Sequence, residues 1–324
     1  MSTPHSTLGI DIAKATFDVA LIRGDGKRRH KHFVNTVAGH QALLEWLAKQ
    51  GAACVHACLE ATGTYGDALA TALTTADHRV SVANPRAVRA FADSQLRRAK
   101  TDPVDADVLA DFCVAHQPPA WTPWPAEVRA LQAVVRRREA VQDMLTQERN
   151  RRQAGELVAV VAVSLDRHIT QLEVELAALD QQIRDHLDQH PSLRCQRDLL
   201  LTIPGIGAGT VARLLAECRS IAAFDNARAY AAFAGLVPAI RRSGTLRGRA
   251  RLSKLGTPRL RFALYFPALT AMRHNPPLRV FSARLRAAGK PKMVVVAAVM
   301  RKLLHVVYGV LKHQRAFDPA ILGA

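Results

Sequence analysis

Four carboxylates in the first third of the chain are spaced as the parts of one centre. Asp11 stands inside an apolar, β-forming run, Gly9-Ile-Asp-Ile-Ala-Lys14, and Glu60 closes a second apolar run just before Ala-Thr-Gly63. An acid among apolar strand residues is costly to bury without a partner. Asp102 and Asp105 follow Thr101, and their three-residue spacing puts both on one face of a helix. Taken singly, Asp102 also reads as a helix cap and Asp11 as a hydrogen-bonded turn acid. Strand ends and helix N-termini converge on one edge of an α/β sheet. Four acids there repel one another unless cations intervene, and hard oxygen donors suit Mg2+ or Mn2+. Two such ions about 4 Å apart can clamp the attacking and leaving oxygens of a phosphodiester. Asp107 and Asp111 share the helix. Asp107 is expected to face away from Asp105, and Asp111 to lie in solvent.

Two further clusters fall in the last third. Ser243 sits among Arg241, Arg242, Arg247, Arg249 and Arg251. A serine hydroxyl is a weak nucleophile unless a base or metal activates it, and arginines can hold a phosphate and the charge that develops on it. A solvated, phosphate-binding serine is the other reading, and Ser253 and Ser282 have a similar weak claim. Upstream, two apolar helical stretches flank Ile203-Pro-Gly-Ile-Gly207. This resembles a helix-hairpin-helix, in which Gly205, Gly207 and the following helix N-terminus would hold a backbone phosphate. A purely structural turn is the alternative. Lys100, just before the Asp102 helix, is a further candidate nucleic-acid contact.

The elements that must position these groups are legible in outline. Residues 7–22 alternate as two strands joined near residues 14–15, and residues 31–35 read as a third strand. Helix is expected over 37–50 and 65–76, and strand over 53–60 and 79–83. Pro85 starts one helix and Thr101-Asp-Pro103 another, running to about residue 113. Strand–helix alternation predicts an α/β domain over 1–120. Residues 117–126 hold four prolines and two tryptophans, a stiff boundary. Residues 121–190 read as a helical linker. Leu165, Ile169, Leu172, Leu176, Leu179 and Ile183 step in a heptad rhythm that fits either an internal hairpin, with residues 154–164 near its tip, or an intermolecular coiled coil. Residues 191–324 are expected to be mainly helical.

Charge is segregated. The chain of 324 residues carries 45 Lys+Arg against 27 Asp+Glu. Residues 191–324 hold 23 of these cations and only 4 of the acids, so nearly all the excess lies there. Such a footprint predicts nucleic-acid contact by the terminal third. Arginines outnumber lysines 35 to 10, which favours forked contacts to phosphate. The longest apolar runs, 157–163 and 293–300, are too short to span a bilayer, and no secretion signal is evident at the start. Five cysteines without a CxxC pair, and 13 histidines without zinc-site spacing, argue against a disulfide scaffold or a zinc finger. Reduced thiols and the lack of a secretion signal predict a cytoplasmic location.

The order Asp–Glu–Asp–x–x–Asp over strand, strand and helix resembles an RNase H-like (RuvC-like) fold. The whole ordered set also resembles the bacterial insertion-sequence transposases of the IS-one-ten family. The set comprises Gly9-Ile-Asp-Ile-Ala-Lys14, Glu60-Ala-Thr-Gly-Thr-Tyr65, Asn84-Pro85, Lys100-Thr-Asp-Pro-Val-Asp-Ala106, Ile203-Pro-Gly-Ile-Gly207, Gly235-Leu-Val-Pro238, Ser243-Gly244 and Gly256-Thr-Pro-Arg-Leu-Arg261. The resemblance implies a RuvC-like domain whose metal-binding tetrad falls on Asp11, Glu60, Asp102 and Asp105. It also implies a helical or coiled-coil linker and a C-terminal transposase domain whose nucleophile falls on Ser243. Its implied partners are donor and target double-stranded DNA, a structured noncoding guide RNA and further copies of the chain, as a dimer or dimer of dimers. Three rivals differ in chemistry. A RuvC-like endonuclease would use the same tetrad with water as nucleophile. A sugar-kinase or actin-like protein would need a second phosphate loop and a late glycine-rich adenosine site, and neither motif is found. A packaging protein would not need the four acids.

Overall fold

The computed structural model describes residues 6–322 except 62, 64, 96–101, 156–157, 219, 240–241, 244–245, 248–250 and 254. The chain divides into two units, Met1–Pro123 and Trp124–Ala324.

The first unit is built on a five-stranded mixed sheet. In chain order it runs β1 (Ser6–Ile12), β2 (Thr16–Ile22), β3 (Arg28–Val34), α1 (Val37–Lys49), β4 (Val55–Glu60), α2 (Asp67–Thr75), β5 (Arg79–Ala83), α3 (Pro85–Ser94) and α4 (Asp102–His116). The sheet order is β3-β2-β1-β4-β5, antiparallel within β1–β3 and parallel from β1 through β4 to β5. Strand alternation assigns the faces. Leu8, Ile10, Val55, Ala57 and Leu59 pack with Leu43 and Leu47 of α1 and Leu69 and Leu73 of α2. Cys58 of β4 packs with Val88 of α3 and Val108, Leu109 and Phe112 of α4 on the other face. The result is a three-layer sandwich.

β3 begins at Arg28, earlier than its sequence suggests, because only Phe33 of its seven residues is buried and no alternation marks it. Its charged residues suit an edge strand. The proline-rich segment lies on the opposite edge of the sheet. Trp121 donates its backbone N–H to Val80 at 2.7 Å, and Ser81 Oγ donates to the Pro118 carbonyl at 2.9 Å.

The second unit is mostly helical. α5 (Ala126–Gln153) and α6 (Ala159–Gln189) form an antiparallel hairpin around Val141, Leu145, Leu172 and Leu179. The break between them is shorter than expected, since residues 159–164 belong to α6. Arg137–Glu175 at 2.6 Å, Arg138–Asp180 at 3.0 Å and Arg149–Glu173 at 2.6 Å bridge the pair. The arginines here are matched by acids, which is why this stretch carries no excess charge.

Then follow α7 (Pro191–Leu201), α8 (Ala208–Glu217), a 3-10 turn (Ile221–Ala223) and α9 (Ala227–Phe233). Four short strands come next, β6 (Pro238–Ala239), β7 (Arg242–Ser243), β8 (Leu246–Arg247) and β9 (Arg251–Leu252). The chain ends with α10 (Pro258–His274), α11 (Pro276–Ala287), α12 (Lys292–His313) and α13 (Pro319–Leu322). α12 is long and apolar enough to cross a membrane by composition. Its Val295, Val299, Leu303, Leu304 and Val307 are instead buried at the centre of the unit's core, with Leu214 of α8, Tyr230 of α9 and Leu264 of α10.

Candidate active site

The carboxylates of the first unit are positioned by register. Ile10 of β1 pairs with Leu59 of β4 in parallel, so the next residues, Asp11 and Glu60, stand side by side. Both are partly exposed, whereas every other residue of β4, and every other residue of β1, is buried. Asp11 shares a face with Gly9, and Glu60 with Cys58. That face carries α4, since the Gly9 Cα abuts the Ala106 carbonyl and the Ala110 backbone, and Cys58 packs on Leu109.

α4 runs antiparallel to both strands. Near its C-terminal end, Cys113 Sγ lies 3.7 Å from the His56 carbonyl, close to the start of β4. Ala106 and Ala110 straddle Gly9, nearer the strand's end. Its first turn, with Asp102 and Asp105, therefore points to the edge where Asp11 and Glu60 emerge. Acids at a helix N-terminus are favoured by the partial positive charge there. Asp105 is half-buried. The Asp102 side chain and all of Lys100 lie outside the described residues.

Among the described residues no three His, Cys, Asp or Glu side chains close into a metal-binding group. The donor set at this edge is nonetheless all carboxylate oxygen, which fits a hard divalent cation and not a thiophilic one.

Asp111 departs from expectation. Arg28 at the start of β3 donates to Asp107 Oδ1 at 2.8 Å and to Asp111 Oδ1, while His30 Nε2 meets Asp107 Oδ2 at 3.0 Å. Asp111 is thus an ion-pair partner and not a solvated acid. The cluster ties the outer side of α4 to the sheet edge.

In the second unit Ser243 is placed by backbone alone. Pro238 and Ala239 pair with Leu252 and Arg251, and further out Arg242 and Ser243 pair with Arg247 and Leu246. These nested antiparallel pairs form an arm. Ser243 is the last residue of its outgoing strand, two residues before the return. Arg241 and Arg249 lie outside the described residues, as do the side chains of Arg242, Ser243 and Arg247. Arg251, at the foot of the arm, is exposed.

The two rival serines fare differently. Ser282 is 2% exposed and donates to the Arg279 carbonyl of its own helix. The Ser253 hydroxyl is shielded from solvent at the base of the arm.

The two glycines of the α7–α8 turn do different work. Gly205 has φ +104°, and a Cβ there would lie 2.9 Å from the Ala271 Cβ of α10. Its need for glycine is met inside the protein. Gly207 caps α8 with open space around it, and no side chain caps that helix. Residues Gly207–Thr210 line a cavity of about 350 Å³ with Arg138, Arg184, Arg197 and Arg213. The arginines contributed by α5 and α6 to this cavity escaped the sequence reading, because they stand 19 residues or more before the Ile203–Gly207 motif.

Family profiles match both units. A transposase profile of the DEDD type matches residues 8–155, and a profile for transposases of the IS116/IS110/IS902 family matches residues 197–283. The chain is 34% identical to a pilin gene-inverting protein of Moraxella bovis over 97% of its own length and 98% of that protein's. It is 30% identical to the 42 kDa protein of insertion element IS900 of Mycobacterium paratuberculosis, over 51% of this chain and 41% of that one. With the 43.6 kDa protein of IS110 of Streptomyces coelicolor it shares 29% identity over 47% of this chain and 37% of the other. Matches along both units, and one along nearly the whole length, place the chain in the IS110 family of transposases, enzymes that act as DNA transposases or recombinases.

Proposed function

We propose that the chain exchanges DNA strands through a covalent serine–DNA intermediate, with an RNase H-like carboxylate centre in the first unit. The observation that carries this reading is the side-by-side register of Asp11 and Glu60 under the first turn of α4. Asp11, Glu60, Asp102 and Asp105 would hold divalent cations, Mg2+ or Mn2+, which when bound supply charge neutralisation at a DNA phosphate.

Ser243 Oγ attacks the phosphorus. The Oγ–P bond forms as the P–O3′ bond breaks, and the proton leaving the serine ends on the released 3′-hydroxyl. A 3′-hydroxyl from another strand then attacks the serine-bound phosphorus, expels Ser243 and takes its place. One phosphoester replaces another, so no nucleoside triphosphate is consumed. The arginines around Ser243 hold the strand while the serine is esterified, and Lys100 and the Gly205–Gly207 turn add backbone contacts.

Paired exchange calls for more than one copy, a dimer or a dimer of dimers. Donor and target are double-stranded DNA. The family resemblance supports a structured noncoding RNA as the guide, and sequence choice then rests on base pairing, outside the protein.

The test is to purify the full chain at moderate salt, sequence the nucleic acid that accompanies it, and use that RNA to define the DNA substrate. A single discrete RNA is expected. With Mg2+, the wild type forms a protein–DNA adduct that survives denaturation, and Ser243→Ala forms none. An adduct with Ser243→Ala overturns the nucleophile. Cleavage without any adduct makes water the nucleophile and the chain an endonuclease. Intact cleavage by Asp102→Asn with Asp105→Asn overturns the metal centre.

A further inference from the structure

α10 presents a stripe that neither its packing nor the reaction above uses. Leu260, Ala263, Leu264, Pro267, Ala268 and Ala271 face the core. The opposite side carries Arg259, Phe262, Phe266, Thr270 and Arg273 at helical spacing, all exposed. Phe262 is 67% exposed and Phe266 64%, on a helix whose other face is closely packed. Exposed phenylalanines one turn apart are unusual on a soluble surface and mark a place where something docks. Phe266 is steadied by an edge-on contact to Tyr265 with ring centroids 5.2 Å apart. A platform is therefore present before any partner arrives.

The surrounding charge selects the partner. No Asp or Glu occurs between Asp225 and Asp318, so α10, α11 and α12 carry cations and no acid. A second copy of this stripe would bring the same positive field and be repelled, as would any basic protein surface. A polyanion is drawn in, and among polyanions only nucleic acid offers flat apolar rings to match the two phenyl faces.

The place in the fold is also informative. α10 starts at the foot of the arm that bears Ser243. β9 leads into it, Thr257 donates its backbone N–H to the Phe233 carbonyl at 2.8 Å, and Arg261 donates to the Ala234 carbonyl at 3.0 Å, on the segment from which β6 departs.

We propose that Phe262 and Phe266 form a stacking platform for unpaired DNA bases beside the exchange point. The assignment rests on the strand-exchange reading above. There, bases flanking a broken phosphodiester must leave one complement before they meet another, and during that interval they have lost their stacking neighbours. Two phenyl faces with Arg273 at one end of the stripe hold such bases without reading their identity, while Arg259 at the other end is held by Glu139 of α5 at 2.5 Å.

The test compares the full-length wild type with F262A/F266A and F262W/F266W. The probe is a 30-nucleotide DNA strand with 2-aminopurine at its centre, offered single-stranded and as a duplex. The wild type is expected to bind the single strand and change its 2-aminopurine fluorescence. F262A/F266A is expected to lose about tenfold or more in single-strand affinity and to lose the fluorescence change. Its duplex affinity, salt slope and melting temperature are retained, and F262W/F266W restores single-strand binding.

Unaltered single-strand affinity in F262A/F266A overturns the proposal, as does an equal loss on single strand and duplex. A fall in oligomer size on sedimentation, with DNA binding unchanged, makes the stripe a self-interface and also overturns it. An RNA strand of the same sequence bound tenfold more tightly than the DNA overturns the choice of DNA. The serine–DNA adduct is read on the same preparations. A normal adduct with unaltered single-strand binding by F262A/F266A removes the platform and leaves the exchange reading standing, whereas no adduct and no nucleic-acid binding by the wild type removes both.

Discussion

Asp11 and Glu60 emerge side by side from adjacent strands, and the proposed cation site rests on that placement. Asp11→Asn and Glu60→Gln should each reduce strand cleavage by about 100-fold or more. Each variant keeps the shape of the side chain, so cleavage assays run beside thermal melts separate a loss of chemistry from a loss of fold. His56 gives a different handle. It is fully buried, its Nε2 lies 2.8 Å from Ser81 Oγ, and its Nδ1 has no hydrogen-bond partner. Burial, helped by nearby Arg79, pushes its pKa from 6.5 down to about 4. The unfolded chain therefore takes up this proton first as the medium is acidified. Stability contributed by the neutral ring is full above pH 6.5 and falls as the pH drops toward 4, by up to about 3 kcal/mol. Urea melts of the wild type at pH 7, 5.5 and 4.5 should show that decline, and His56→Gln should flatten it.

At the scale of elements, α4 matters because it carries Asp102 and Asp105 of the proposed tetrad and lies on the strand that carries Asp11. Two small residues, Ala106 and Ala110, let it approach Gly9 at backbone distance, and Arg28 clips its outer side to β3. Arg28→Met should cost about 1 kcal/mol, since the cluster is partly exposed and screened. Gly205→Ala forces a left-handed φ and a clash with Ala271, a loss of about 1–3 kcal/mol, whereas Gly207→Ala, in open space, should be nearly neutral to folding. Chemical denaturation of the three variants ranks them. The strands bearing Asp11 and Glu60 and the helix bearing Asp105 were readable from the sequence because apolar alternation and a Thr-Asp-Pro start are local signals. The solvated reading of Asp111 failed because its partner, Arg28, stands 83 residues away. β3 was read short because an edge strand facing solvent leaves almost no hydrophobic period.

Across the whole molecule, charge and chemistry are divided between two units. The α5–α6 hairpin pairs most of its arginines with acids, whereas residues 191–324 hold 23 cations against 4 acids and keep a large unmatched excess. Non-specific DNA affinity should therefore fall steeply with salt. Arg241→Gln with Arg242→Gln should shallow the log–log salt slope by about 2, as two phosphate contacts are lost. Fluorescence anisotropy across a salt series tests this, and an unchanged slope assigns the contacts elsewhere. The segregation of charge was visible in a count of residues. The stripe on α10 was not, because apolar residues at helical spacing look alike in sequence whether they face a core or a solvent.

The contact between Gly9 and α4 has a consequence for how such an element decays. Every replacement at codon 9 adds a Cβ directed at the backbone of Ala106 and Ala110, lifting α4 and its aspartates off the sheet. One missense change at a residue with no reactive group of its own is therefore expected to silence cleavage while the open reading frame, the nucleic-acid surface and every acidic codon persist. Genomic copies fossilised in this way would still bind and compete with active ones, acting as brakes on their own lineage.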